Sequence, residues 1–517
     1  MKIFLLASLT MVMACNATQT QTAQPAMEPV AGPYSYAASI TENELKDHLY
    51  TYASDAYEGR ETGERGQKKA VQYLKMQYSS MRVPAAKADG DYFQKVALEI
   101  SKLPSGDMTI DGKAFELGED FLTFSPVDGS FNEVVYAGYG IEDEGYSDFN
   151  GLDVTGKIVL IKAGEPRNDD GTYVVSGNLE PSAWSNVSES IEHKAQILVD
   201  KGARAILYYD NANFQRFKRA FDFLAGNEKG RMSLRNEEGT ASVILLRDTA
   251  VMEILPNIET TSEPRVLPLD LSFQIQDHNE PIDSENVVAF IKGTTKPEEY
   301  IVISSHLDHI GISANGEINN GADDDGSGTV AMLEIAEAFK QAAEAGNGPA
   351  RSIVFLHVTG EEKGLLGSEY YTDKDPIFPL SQTVANLNID MIGRTDPKRE
   401  GSKNYIYLIG SDKLSSELHE LSESVNARYS QLELDYTYND ENDPNRFYYR
   451  SDHYNFAKNN IPIIFYFNGT HEDYHRPSDT PDKINYALLA KRAQLIFYTA
   501  WELANRPERV VVDKLSR

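Results

Sequence analysis

A single cysteine, Cys15, among 517 residues has no partner for an intrachain disulfide, so the fold cannot be a disulfide scaffold. Basic residues are scarce too. The 49 Lys and Arg stand against 79 Asp and Glu, for a formal charge of −30, which disfavours docking on nucleic-acid phosphates or anionic membranes. Long apolar runs are missing as well. The N-terminal run, Ile3 to Ala14 behind Met1-Lys2, has the basic start and apolar core of a secretory signal and is too short for a mature spanning helix. There is no internal repeat. Core-forming material, by contrast, is plentiful: 41% of residues are hydrophobic, with 29 Tyr and 21 Phe, which excludes global disorder. A chain of this length holds two or three domains.

Cys15 follows Val12-Met13-Ala14, a stretch that resembles a bacterial lipoprotein signal. On that reading Cys15 is lipidated and attaches the protein to a membrane, as in an outer-membrane lipoprotein. Ordinary cleavage near Ala14 or Ala17 would instead give a soluble periplasmic or secreted protein. Both readings place the chain outside the cytoplasm. Residues 16–34, rich in Thr, Gln, Ala and Pro, read as a flexible tether.

Five groups able to bind metal each fall just beyond a short apolar run. Tyr300-Ile-Val-Ile-Ser-Ser ends in His306, followed two residues on by Asp308. Side chains at i and i+2 of a strand share a face, so Asp308 could hydrogen-bond the far ring nitrogen of His306 and fix its tautomer. Asn320-Gly-Ala-Asp-Asp-Asp-Gly-Ser-Gly328 leads into helical spacing at Met332, Ile335, Ala336 and Phe339. Three adjacent carboxylates repel unless something cationic neutralises them. Ile353-Val-Phe-Leu-His-Val358 runs into Thr-Gly-Glu361-Glu362, where one acid can bind metal and its neighbour can take a proton. Asn386-Leu-Asn-Ile precedes Asp390, and Ile463 to Phe467 precedes Asp473-Tyr474-His475. Oxygen and imidazole donors without thiolate suit zinc, cobalt or manganese.

Taken singly, each motif also reads as ordinary structure: a surface histidine, a turn or helix N-cap, a solvated acid pair. Jointly they place every candidate at or past a strand end, where open α/β sheets bind their ligands. His306-Leu-Asp308, Gly321-Ala-Asp-Asp-Asp-Gly-Ser-Gly328, Gly360-Glu-Glu362, Asn388-Ile-Asp390 and Asp473-Tyr-His475 resemble, in that order, the co-catalytic zinc aminopeptidases related to bacterial leucyl aminopeptidases and glutamate carboxypeptidase. Ser54-Asp-Ala-Tyr-Glu-Gly-Arg-Glu-Thr-Gly63 and Tyr449-Arg-Ser-Asp-His453 extend the resemblance over nearly all of the mature chain.

The resemblance implies an α/β fold, a doubly wound mixed sheet with helices on both faces, interrupted by a β-rich protease-associated domain. It implies two divalent ions, zinc first among them. Asp324 would bridge them, with His306 and Asp390 on one and Glu362 and His475 on the other. Glu361 would be the general base, Asp308 a supporting residue, and Tyr474 a donor to the oxyanion. The substrate would be a peptide, cut from its N-terminus. Two alternatives stay open: a single-zinc glutaminyl cyclase on the same fold, and a non-enzymatic binding protein.

The chain divides into a signal peptide (1–15), the tether (16–34), a first catalytic segment (35–120), the protease-associated insertion (121–280) and a second catalytic segment (281–517). Helices are expected over 41–52, 65–80 and 486–505, and strands over 133–141, 154–161 and 201–209. Three histidines outside the ligand set are read separately: His309 as a local hydrogen-bonding residue, His357 as a core histidine, and His453 as a pocket-rim residue of open role. The acidic Asn439 to Asp443 reads as a solvated loop, with calcium as the alternative.

Overall fold

The computed structural model describes residues 32–227, 229–235 and 241–514. The signal peptide, Cys15 and residues 16–31 of the tether lie outside them. No helix among the described residues is long and apolar enough to cross a membrane.

Two large sheets organise the chain. The first has nine strands. Four central ones, in the order Arg351–Val358, Lys296–His306, Thr383–Ile389 and Ile463–Phe467, are mutually parallel. Their sequences are nearly continuous runs of Val, Ile, Leu and Phe, and every residue from Tyr300 to His306 and all of Arg351–Val358 is buried, as expected where both faces of a parallel sheet are covered. Alternation along a strand sorts the two faces. Ile301 and Ile303 join the core formed with the helices Glu42–Tyr52, Arg65–Ser80, Gly328–Glu344 and Tyr486–Asn505. Tyr300 and Val302 join a smaller core with Tyr371, Leu414 and Phe456. Helical layers on both sides and antiparallel strands at both flanks make this the doubly wound mixed sheet expected.

The second sheet has eight strands drawn from Ser105 to Gln276, in mixed pairing, with helices such as Val187–Asp200 and Phe214–Ala225 beside it. Its own cores lie on its two faces. Strands Ser105–Ile110 and Lys113–Glu116, which the sequence division leaves with the first catalytic segment, pair into this second sheet. The chain enters it from Phe93–Ser101 and leaves it into Glu280–Ile291, two strands that pair with each other in the first sheet. One short strand of the intervening segment, Arg231–Leu234, returns to the outer edge of Phe93–Ser101.

His357 and His453 show what close packing does to a titratable ring. His357 is buried on its strand with Nε2 2.8 Å from the Tyr78 hydroxyl, and His453 donates Nε2–H to the Tyr448 carbonyl oxygen at 2.8 Å. Burial lowers both rings to about 3. Below the unfolded value of roughly 6.5, the unfolded chain binds protons these rings refuse. Stability should therefore fall as pH drops from about 6.5 toward 3, by about 1.4 kcal/mol per pH unit for each ring. Denaturant titrations at pH 7, 6 and 5 test this: His357→Gln should show a shallower decline than the parent chain, whatever its stability at pH 7, and an unchanged slope would contradict the assignment.

Candidate metal centre

The C-terminal ends of the four parallel strands lie side by side, and each delivers an acid or imidazole to the same edge. His306 is the last residue of its strand, Asp390 follows Ile389 directly, and Glu361-Glu362 and His475 arrive on the loops after Val358 and Phe467. Asp324 comes from the loop ahead of helix Gly328–Glu344.

Asp324 sits between the two histidines. Its Oδ1 is 3.2 Å from His306 Nε2, and its Oδ2 is 3.0 Å from His475 Nε2. Asp390 Oδ1 lies 3.6 Å from the same His306 nitrogen, and Glu362 Oε2 lies 3.1 Å from the same His475 nitrogen. All five sequence-predicted ligands are thus brought together. His306, Asp324 and Asp390 are buried, whereas the His475 side chain keeps 36% of its exposure. Glu361 and Tyr474 line the same pocket as Asp324 and Asp390, and the Tyr474 ring stacks on His475 at 3.9 Å.

The Asp323-Asp324-Asp325 loop divides its labour. Asp325 Oδ1 accepts the N–H of Gly328 at the start of the helix and that of Met391. Asp323 Oδ1 accepts the Gly393 N–H, and its Oδ2 lies 3.1 Å from His471 Nε2. Only Asp324 is left facing His306 and His475, so the triple acid does not need three cations. Gly321 opens the loop at φ +57°, where a Cβ would lie 2.3 Å from the Asp324 carbonyl oxygen, so no other residue fits. Gly328 is equally constrained: a Cβ would meet Asp325 Oδ1 at 2.4 Å. From outside, Asp479 Oδ2 accepts the N–H groups of Asp323 and Asp324. Arg60, 1% exposed, spans the carbonyl oxygens of Asn320, Gly321 and Asp324 at 2.7, 2.9 and 3.5 Å.

The support expected from Asp308 takes a different form. His306 Nδ1 is 3.1 Å from the Asp308 main-chain oxygen, while the nearest carboxylate oxygen is 3.9 Å away. The strand ends at His306, so the i, i+2 face-sharing that would carry the side chain to the ring no longer applies. The Asp308 carboxylate instead accepts from Thr62 Oγ1 at 2.7 Å and from the Glu361 N–H at 3.2 Å, tying the Glu361-Glu362 loop to the histidine strand. Asp390 Oδ2 accepts from Ser451 Oγ at 2.7 Å.

His309, read as a local residue, is fully buried with Nδ1 2.8 Å from Glu362 Oε1. Its position three residues past His306, off the strand, gave no periodic signal. In the Asn439 to Asp443 stretch, read as a solvated loop, Asp440 to Asn442 are exposed but Asp443 is buried, and Asp440 and Asp443 accept N–H groups of Asn442, Asn445 and Phe447. The stretch lines a larger cleft of about 1140 Å³ that contains none of the five groups.

The electrostatics are those of an anionic cage. Burial alone would lower His306, but Glu361, Asp324 and Asp390 hold it well above the ordinary histidine range. Burial likewise opposes the charge on His475, yet Asp324 and Glu362 raise it to about 10. Glu361 is pushed well above the carboxylate range by burial and then by Glu362 and Asp390. His306 Nε2 and Asp324 Oδ2 are buried without a hydrogen-bond partner, and His306, Asp324 and Asp390 each offer an atom to a common point, as do His309, Asp324 and Glu362. Lone pairs converging from imidazoles and carboxylates in a buried acid cluster fit divalent metal.

Residues 286–500 match the profile of peptidase family M28. The match covers the parallel strands and all five groups described above. Among similar proteins, a probable leucine aminopeptidase 2 of Aspergillus oryzae is 25% identical over 92% of this chain and 86% of its own length. A probable leucine aminopeptidase of Arthroderma benhamiae is 30% identical over 42% of this chain and 57% of its own, so this chain spans little more than half of that relative. Among solved structures, an aminopeptidase from Aneurinibacillus sp. strain AM-1 aligns over 94% of this chain and 99% of its own, with 19% identity and a TM-score of 0.46.

If Arg60 sets the height of the Asp324 loop, Arg60→Lys cannot span three carbonyl oxygens and should lower zinc affinity roughly 10- to 100-fold, the usual cost of losing a group that orients ligands. Competition against a chromophoric chelator measures this; wild-type affinity in a folded variant would remove Arg60 from the support of the site.

Proposed function

We propose that this protein is a zinc-dependent aminopeptidase of family M28 that hydrolyses the first peptide bond of peptides outside the cytoplasm, using two ions. The observation that carries the reading is the meeting of His306, Asp324, Glu362, Asp390 and His475 beside the unligated acid Glu361.

Bound zinc would polarise the scissile carbonyl and bring the pKa of attacking water to about 7. His306 and Asp390 would hold one ion, Glu362 and His475 the other, and Asp324 both. Glu361 takes the proton of the attacking water and returns it to the leaving amine. Its raised pKa arises from burial and the surrounding acids, and neutralising those acids lets it act as a carboxylate at neutral pH. The Tyr474 phenol, held neutral by burial and by Asp324 and Glu362, donates to the oxygen of the attacked carbonyl, a contact of the kind worth about 3 kcal/mol elsewhere. Met391, Phe447, Phe465 and Phe467 form an apolar wall for the substrate's first side chain, with Arg450 and Thr470 at the same pocket.

The basic and apolar start of the chain supports export, with Cys15 as the site of lipid attachment. The second sheet is proposed as a protease-associated domain, supported by its place as an insertion between paired strands of the catalytic sheet.

Release of free amino acids from peptides, with and without chelator and with free or acetylated N-termini, tests the activity. Hydrolysis should need metal and a free N-terminus; cyclisation of N-terminal Gln with one zinc per chain would replace this reading by a cyclase. Glu361→Gln should lower kcat by about 10²- to 10⁴-fold and leave zinc stoichiometry unchanged. Loss of an ion would make Glu361 a ligand instead.

A further inference from the structure

His309 belongs to none of the roles above, yet it is fully buried against the cage. We propose that His309 is a positioning residue that donates Nδ1–H to Glu362 and fixes that carboxylate for the second ion, without itself binding metal. The inference rests on the two-ion reading.

Three observations favour donation over ligation. First, the two Glu362 oxygens are shared out: Oε1 lies 2.8 Å from His309 Nδ1, while Oε2 lies 3.1 Å from His475 Nε2. One oxygen is engaged by each ring, the pattern of a carboxylate that binds metal through one oxygen and is oriented through the other. Second, Asp324 Oδ2 is 3.0 Å from His475 Nε2 but 3.7 Å from His309 Nδ1. His475 Nε2 thus lies close to both acids, at 3.0 and 3.1 Å, whereas His309 Nδ1 approaches only Glu362 closely.

Third, the proton count points the same way. His309 Nε2 is buried with no hydrogen-bond partner. A neutral imidazole carries one N–H. Were Nδ1 a ligand, the proton would have to sit on Nε2, where nothing accepts it; with the proton on Nδ1, Glu362 accepts it and Nε2 is left as a bare lone pair.

The ring is also mechanically fixed. A Cβ on Gly321 would lie 2.6 Å from His309 Cδ2, and the His309 N–H donates to the Arg60 carbonyl oxygen. His309 is therefore wedged between the start of the aspartate loop and the segment carrying Arg60. This connects the Glu362 carboxylate to the same support that holds Asp324.

Stepwise zinc binding by competition against a chromophoric chelator tests the proposal on the full chain. His309→Ala should weaken the second zinc roughly 10- to 100-fold and leave the first within about twofold, while His309→Gln, whose amide can donate but not replace an imidazole ligand, should recover most of the loss. Unchanged second-site affinity in His309→Ala overturns the proposal, as does a glutamine variant no better than alanine. ¹⁵N NMR of the zinc-loaded parent needs no variant and should show His309 protonated at Nδ1. A crystal structure with His309 Nδ1 about 2.0–2.1 Å from zinc would make it a ligand and sink the idea. If the parent chain binds only one zinc, the two-ion reading itself fails, an outcome separate from these.

Discussion

Asp324, Glu361 and Asp390 line one pocket, and Glu362 meets Asp324 across His475; carboxylates so placed repel one another unless cations stand between them. That repulsion is what the rest of the catalytic domain is built to hold. Each acid is restrained by a separate contact: Asp390 by Ser451, Glu362 by His309, the Asp324 main chain by Asp479 and Arg60, and the Glu361 main chain by Asp308. Divided restraint lets a locally unfavourable charge arrangement persist in a fold whose stability comes from the two apolar layers on either side of the sheet.

Parallel strands supply the rigid part of this arrangement and loops the adjustable part. His306 and Asp390 stand at or next to strand ends, on backbone fixed by ladder hydrogen bonds on both sides. Asp324 and His475 sit on loops, and these are where outside anchors accumulate: Lys483 and Arg394 grip Asp473 beside His475, as Arg60 and Asp479 grip the aspartate loop. His475, the candidate ligand nearest solvent, sits in the turn that the Asp473 ion pairs anchor.

The positions of the site residues were readable because each followed a run of β-branched and aromatic residues long enough to mark a strand, and strand ends in such sheets point at ligands. The helix over 486–505 and the helical spacing after Gly328 were legible for the same reason of periodicity. Loop geometry was not. Nothing in His306-Leu-Asp308 announces that the strand stops at the histidine, so the carboxylate of Asp308 was assigned the contact its main chain makes. His309 and Arg60 act through irregular backbone and through partners more than fifty residues away, and no local pattern encodes such pairings. Nor does any local pattern show that Asp325 accepts the N–H of Met391 as well as that of Gly328.

The route of the chain through the two sheets bears on how such a protein could have been assembled. Residues 102–279 leave and rejoin the catalytic sheet through neighbouring antiparallel strands, the two arms of what would otherwise be a hairpin. A whole extra module can occupy the tip of such a hairpin without altering the register of any strand that carries a ligand. The join is not perfectly clean, because Arg231–Leu234 is laid along the outer edge of Phe93–Ser101. The added module thereby seals a strand edge that its removal would leave open to pairing with other chains, so the guest has become part of the host's protection against aggregation.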